Sequence, residues 1–301
     1  MSATATVGAS GVSRRAPRPS FAGAFRGEVL KLSRQRSLWA LLIGGTLLLL
    51  VVSLAIFGND SLKQQYQASQ EHFWVNTLNV LGTLFDFGAG IVLLISSSRL
   101  FGMEYSSGTI RVLLARGLGR VQLYVAKVAA LLLLGIVLLA GFSLIAAGAL
   151  EVAIHSWTGG GIGGLDPVDR EYLQVILVLA ALSIGITILL GSAAAIIGRS
   201  LAFGIGVAMG FFPADNFGTL ILYILQRITK LDLFSNLTAY LLGPNLNVLP
   251  SLLDPSLKLR PFFATPFVTV TAQHAELVIA VYALAFLVVA LVLVSRRDVL
   301  E

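Results

Sequence analysis

Residues 98–127 read SRLFGMEYSSGTIRVLLARGLGRVQLYVAK, a polar and basic stretch carrying five cations, Arg99, Arg111, Arg116, Arg120 and Lys127. It is set between two long runs of Leu, Val, Ile and Ala. Each run reaches the roughly 20 residues that cross ~30 Å of hydrocarbon at ~1.5 Å per residue, so the stretch is the connection between two membrane helices. Inside it Ile110, Val112, Leu113, Leu114 and Leu118 alternate with the cations, while Gly108, Gly117 and Gly119 punctuate the run. That pattern predicts a short amphipathic helix lying at a membrane interface. On physical grounds such a helix binds anionic headgroups or a protein surface equally well.

The rest of the chain agrees with this class. Of 301 residues 56% are hydrophobic and 12% charged, half the charge of a typical soluble domain, which is about 25%. The apolar windows predict an all-α polytopic membrane protein with six spans: 38–57, 73–98, 122–150, 173–198, a broken segment over 201–225, and 275–294. With both termini inside, fifteen of the 21 Lys and Arg fall on the side of the quoted stretch and six on the other. This is the asymmetry of the positive-inside rule, and it puts the termini and the quoted stretch in the cytoplasm. The net charge of +6 clusters beside apolar windows, where topology and headgroups account for it, so nucleic acid is not an expected partner.

Residues 1–20 are expected to be a disordered cytoplasmic tail. The whole stretch ahead of the first span, residues 1–37, is too long and too cationic for the start of a secretory signal. The six-span domain then occupies 38–301. Its fifth span is the weak one: residues 201–212 are too few to cross, and Pro213-Ala214-Asp215-Asn216 comes next. Either a helix runs on to Leu225 with a break, or residues 217–225 form a re-entrant or interfacial hairpin, the preferred reading. In both, residues 226–273 lie outside, and with the preferred hairpin the extracellular segment is about 213–273.

Catalytic constellations are scarce. No Lys follows a Gly, so the phosphate loop of ATPases cannot be present, and without Cys there is no thiol chemistry. The spacing G-x-G-x-x-G occurs at Gly159, Gly161 and Gly164, but after a membrane span and without the strand that a nucleotide site needs, so it reads as a flexible turn. His72, His155 and His274 are scattered and form no H-E-x-x-H pair, and no metal or cofactor is expected in this chain. One acid lies deep in the second span. His72, Asn76, Asn79, Thr83, Asp86, Gly90 and Ser97 succeed one another by three, four or seven residues and share one stripe of a helix. At ~2.5–3.5 kcal/mol for a charge at the bilayer centre, Asp86 must face protein or water. The stripe is a substrate path, a seam between two copies, or a polar contact with a neighbouring span.

Resemblance decides between the readings of the quoted stretch. Glu104-x-x-x-Gly108-Thr109-x-Arg111-x-Leu113-Leu114, followed by Arg120 and Lys127, resembles the segment after the second span in permease subunits of ABC exporters of the ABC-2 class. Phe25-x-x-Glu28-x-x-Lys31-x-x-Arg34 is similar to that family's interfacial elbow helix, here over 21–37. Ser295-Arg296-Arg297-Asp298 is similar to its common C-terminal ending. The chain departs from the family in having Gly117 and Gly119-Arg120 where Pro and Ser-Arg often stand. The resemblance implies a non-enzymatic membrane subunit of an exporter, and the apolar spans suit a hydrophobic or amphipathic substrate moved across or out of the membrane. A separate ABC ATPase, two copies with ATP and Mg, would drive it, and a second permease copy or a paralogue would complete the dimer. It also implies that residues 104–118, with Glu104, Gly108, Thr109, Arg111, Arg116 and Arg120, form a coupling helix seated on the ATPase. Glu104 would fix the elbow by pairing with a cation such as Arg34 or Arg36. A secondary transporter and a non-transporting ABC complex that regulates a membrane partner are the rival classes.

Overall fold

The computed structural model describes residues 20–115, 117–162, 167–255, 261 and 263–296. They form eleven helices, and no strand occurs among the described residues. Residues 1–19 of the expected tail, Arg116, Gly164, Arg297 and Asp298 lie outside the described residues.

Short α1 (Phe21–Ser33) begins at Ser20, whose Oγ accepts from Gly23 N at 3.1 Å, and turns its Phe25, Glu28, Val29 and Leu32 face to the bundle. That spacing is the inward stripe of an amphipathic helix. α2 (Arg36–Phe57) is apolar around its whole circumference and leaves Ile43, Leu47 and Val51 exposed to the surroundings, as a peripheral span does. After α3 (Asp60–Ala68), capped by Asn59, come two long helices, α4 (Gln70–Ser106) and α6 (Arg120–Thr158). At 37 and 39 residues each is about 55–60 Å long and projects beyond the hydrocarbon at its ends. Between them stands α5 (Thr109–Ala115). α7 (Pro167–Gly198), α8 (Leu201–Thr229), the short pair α9 (Asp232–Thr238) and α10 (Leu242–Leu253), and α11 (Ala272–Arg296) complete the chain. Five helices are long and apolar enough to cross a membrane, and the bent α8 makes a sixth when its halves count as one span.

α4 is the axis of the bundle, with buried side chains from Phe73 to Glu104 against α6, α7 and α8. Small residues allow its closest approaches. A Cβ on Gly102 would lie 2.8 Å from the backbone of Leu201, and one on Gly191 would lie 2.8 Å from Ser97 Cβ. The α7–α8 turn that seats on Gly102 is tight: Arg199 takes φ +48 and Ser200 caps α8 through Phe203 N at 3.0 Å. At the other end Phe73 meets Tyr66 edge-on at 5.1 Å and Trp157 at 6.0 Å.

The fifth crossing differs from the preferred expectation. Residues 217–225 continue α8 instead of folding into a hairpin; the helix bends by 40° between Leu201–Phe211 and Pro213–Thr229. Pro213 supplies the cause, since it donates no N–H and its ring crowds the carbonyl four residues back, yet the helix can resume beyond it. A hairpin does stand between the fifth and sixth crossings, α8 and α11, but α9 and α10 build it, packed on α7, α8 and α11. Asp215, just past the bend, is buried and accepts from Gly243 N, so α8 caps the N-terminus of α10 from outside. Asn245 Nδ2 donates to Ala239 O and Leu241 O at 2.8 and 2.7 Å and holds the turn between the two short helices.

Candidate functional site

Two features meet at one end of the bundle, the end where α1 lies and where α11 finishes. Arg120 Nη1 donates to Ser295 O at 3.2 Å, which puts the start of α6 beside the end of α11. The first feature is a four-residue charge cluster. Lys127 Nζ lies 2.7 Å from Glu104 Oε1, 3.0 Å from Glu28 Oε2 and 3.1 Å from Leu100 O, beside the Phe101 ring. Lys31 Nζ lies 2.6 Å from Glu104 Oε1 and 2.7 Å from Glu28 Oε1. Glu28 and Lys127 are each 2% exposed and Glu104 8%. Two carboxylates and two ammoniums leave the cluster neutral, which is what allows it to be buried. Burial works against the charge on Lys31, but hydrogen bonds and the charges of Glu104 and Glu28 outweigh it, so its ammonium is held above its ordinary range.

This cluster corrects two expectations. Glu104 does join α1 to the second span, but its partners are Lys31 and Lys127, not Arg34 or Arg36. Arg34 sits instead at the C-cap of α1. Lys127 is not part of an interfacial helix: α6 starts at Arg120, so Lys127 falls two turns inside it and faces α1 and α4. Sequence reasoning left Lys127 out of the candidate site, although a lysine within a predicted span is itself the signal of a buried partner.

The second feature is α5. It is only Thr109–Ala115, because Gly108 at φ +67 and Gly117 at φ +85 break the chain on either side, left-handed conformations that favour glycine. Glu104 belongs to the last turn of α4, so the expected helix over 104–118 is shorter than its sequence pattern. Ser107 Oγ receives or donates a bond to Thr109 Oγ1 at 2.9 Å across the corner. α5 rests against α4 and leaves Thr109, Val112 and Ala115 exposed at the tip of the bundle. Arg111 lies in α5 and Arg120 opens α6.

The polar stripe of α4 is open at one end and covered at the other. Asn76 and Asp86 are exposed and Asn79 and Thr83 half-buried, whereas Ser97 is buried under Gly191. Asp86 accepts from Ser183 of α7. Thr83 Oγ1 donates to Asn79 O within the helix at 2.9 Å.

A helical bundle of five or six membrane-crossing helices, with a short exposed helix at one tip and an amphipathic helix pinned beside it, defines a multi-pass membrane protein. Residues 24–214 match the family model described as ABC-2 family transporter protein, and the chain belongs to that family, whose membrane subunits work with an ABC ATPase. The match runs from α1 to the bend of α8, so it contains the charge cluster, α5 and the polar stripe. A comparison with curated proteins returns no match.

Proposed function

We propose that this chain is the permease of an ATP-driven exporter, with α5 as the helix that docks on a separate ATPase and with the α1–α5 end in the cytoplasm. One observation carries the reading: Glu104, at the foot of α5, is tied through Lys31 and Lys127 to α1 and α6. A push on α5 therefore moves three helices as one body, which is what coupling to ATP closure requires. The exposed tip of α5 supplies the docking surface for an acidic cleft, and the sequence adds Arg111 within α5 and Arg116 directly after it. The open part of the α4 stripe supports a partner of another kind. Asp86 is too costly to leave against lipid, so a second permease copy covers this face and the two stripes line the seam along which a hydrophobic or amphipathic substrate moves.

Reversing Arg111 and Arg116 to Glu tests the docking role. ATPase co-purification or substrate-stimulated hydrolysis in detergent is expected to fall, because attraction becomes repulsion. A lipid anchor would instead lose ~1 kcal/mol per cation only in membranes containing anionic lipid. Full retention in detergent, with loss appearing only as nanodisc charge is varied, would overturn the docking role.

A further inference from the structure

In the half of the bundle away from α1 and α5, helices α4, α6 and α7 part around an apolar cavity of about 160 Å³. Trp74, Leu78 and Phe85 of α4 line it, all three buried, and Ser143 brings the one hydroxyl among the lining residues. Two lining residues are exposed, Ala147 on α6 and Leu177 on α7, so the mouth opens sideways between these helices. Leu144 and Val178 flank it, both largely exposed, on a surface that meets hydrocarbon in a membrane. An apolar cavity of this size stays dry and takes small apolar guests. In a bilayer the guests present in excess are lipid tails. A cation stands where a headgroup would be: Arg170, exposed, is seven residues before Leu177 on the same face of α7, or ~10 Å nearer the end of the helix.

We propose that this cavity is a lateral acyl-chain site, in which one tail of a membrane phospholipid enters between α6 and α7 while Arg170 holds its phosphate. The site is separate from the ATPase-docking surface and stands whether or not that surface docks.

Trp74 offers the readout, since the chain has three tryptophans and replacing Trp39 and Trp157 by Phe leaves the one that lines the cavity. The full-length protein in nanodiscs is titrated with phosphatidylglycerol brominated along its tails. Quenching of Trp74 is expected to saturate at low mole fraction. Ala146→Phe fills the cavity, and Ala147→Phe blocks its exposed mouth without entering the core; both should remove the saturating phase. Arg170→Gln should raise the mole fraction needed about fivefold. Quenching that rises linearly and equally in all four proteins would mean ordinary surrounding lipid and overturn the site. So would Trp74 quenched by aqueous acrylamide more strongly than by the brominated lipid, which would mean a water-filled cavity.

Discussion

Lys127 is the residue on which the α1–α5 end depends. It bonds to both carboxylates and to Leu100 O, and it is the member that α6 contributes. Replacing it by Met leaves Glu28 and Glu104 buried with only half-exposed Lys31 between them, and breaking a buried pair from one side costs ~3–5 kcal/mol. The melting temperature in detergent should fall sharply. Combining Lys127→Met with Glu28→Gln should recover most of the loss, because Lys31 and Glu104 then remain as a balanced pair 2.6 Å apart; an unchanged melting temperature in the single variant would contradict the geometry. The pH response is set by Lys31. Its ammonium is held above the ordinary value of 10.5, so its share of the stability is intact below that value and is lost only as pH rises past it. Melting temperature should therefore show no lysine-linked step between pH 6 and pH 9. The sequence made Glu28, Lys31 and Glu104 visible through the family pattern. It could not pair them, because which cation lies nearest Glu104 depends on how α1 lies across α6.

At the scale of elements, the spans were legible and the joints were not. Apolar windows mark α2, α4, α6, α7 and α11, since hydrocarbon demands unbroken helix there. The course of α8 was open because Pro213 bends a helix as readily as it ends one, and only packing decides. Here Asp215 matters: Leu241, the N-cap of α10, makes no side-chain cap bond, and the carboxylate from α8 takes its place. Asp215→Ala should destabilise the α9–α10 hairpin by about 1–2 kcal/mol, the usual cost of a lost cap. Faster amide exchange over residues 232–253, with α4 and α6 unchanged, is the expected mark. Uniform exchange across the chain would show the cap to be idle. α5 was recognisable from its alternating pattern, but its length was not, because Gly108 and Gly117 cut the helix inside a longer amphipathic run.

For the whole molecule, orientation and assembly carry the tests. In this chain without cysteine, single Cys at Ser61, in the first turn of α3, should react with an impermeant reagent from outside intact cells, and Cys at Ser107, beside α5, should not. Labelling at Ser107 would reverse the orientation and remove the ATPase from α5. Asp86→Asn keeps shape and removes charge, so expression and pairing of two copies should persist while transport or ATPase stimulation changes. Wild-type activity in that variant would leave Asp86 only its contact with Ser183.

The charge cluster also orders how the chain is made. Glu28, Lys31 and Glu104 all precede Lys127 in sequence, so when the ribosome releases the third crossing helix, every counter-charge for its lysine has already been synthesised. Lys127 stands two turns inside that helix, and beside Glu28 and Glu104 its ammonium is neutralised where the helix leaves the cytoplasmic edge. On this order of synthesis α1, too short to cross, is expected to help seat a helix about 90 residues downstream. Chains shortened from the front past Glu28 should emerge with that crossing poorly inserted.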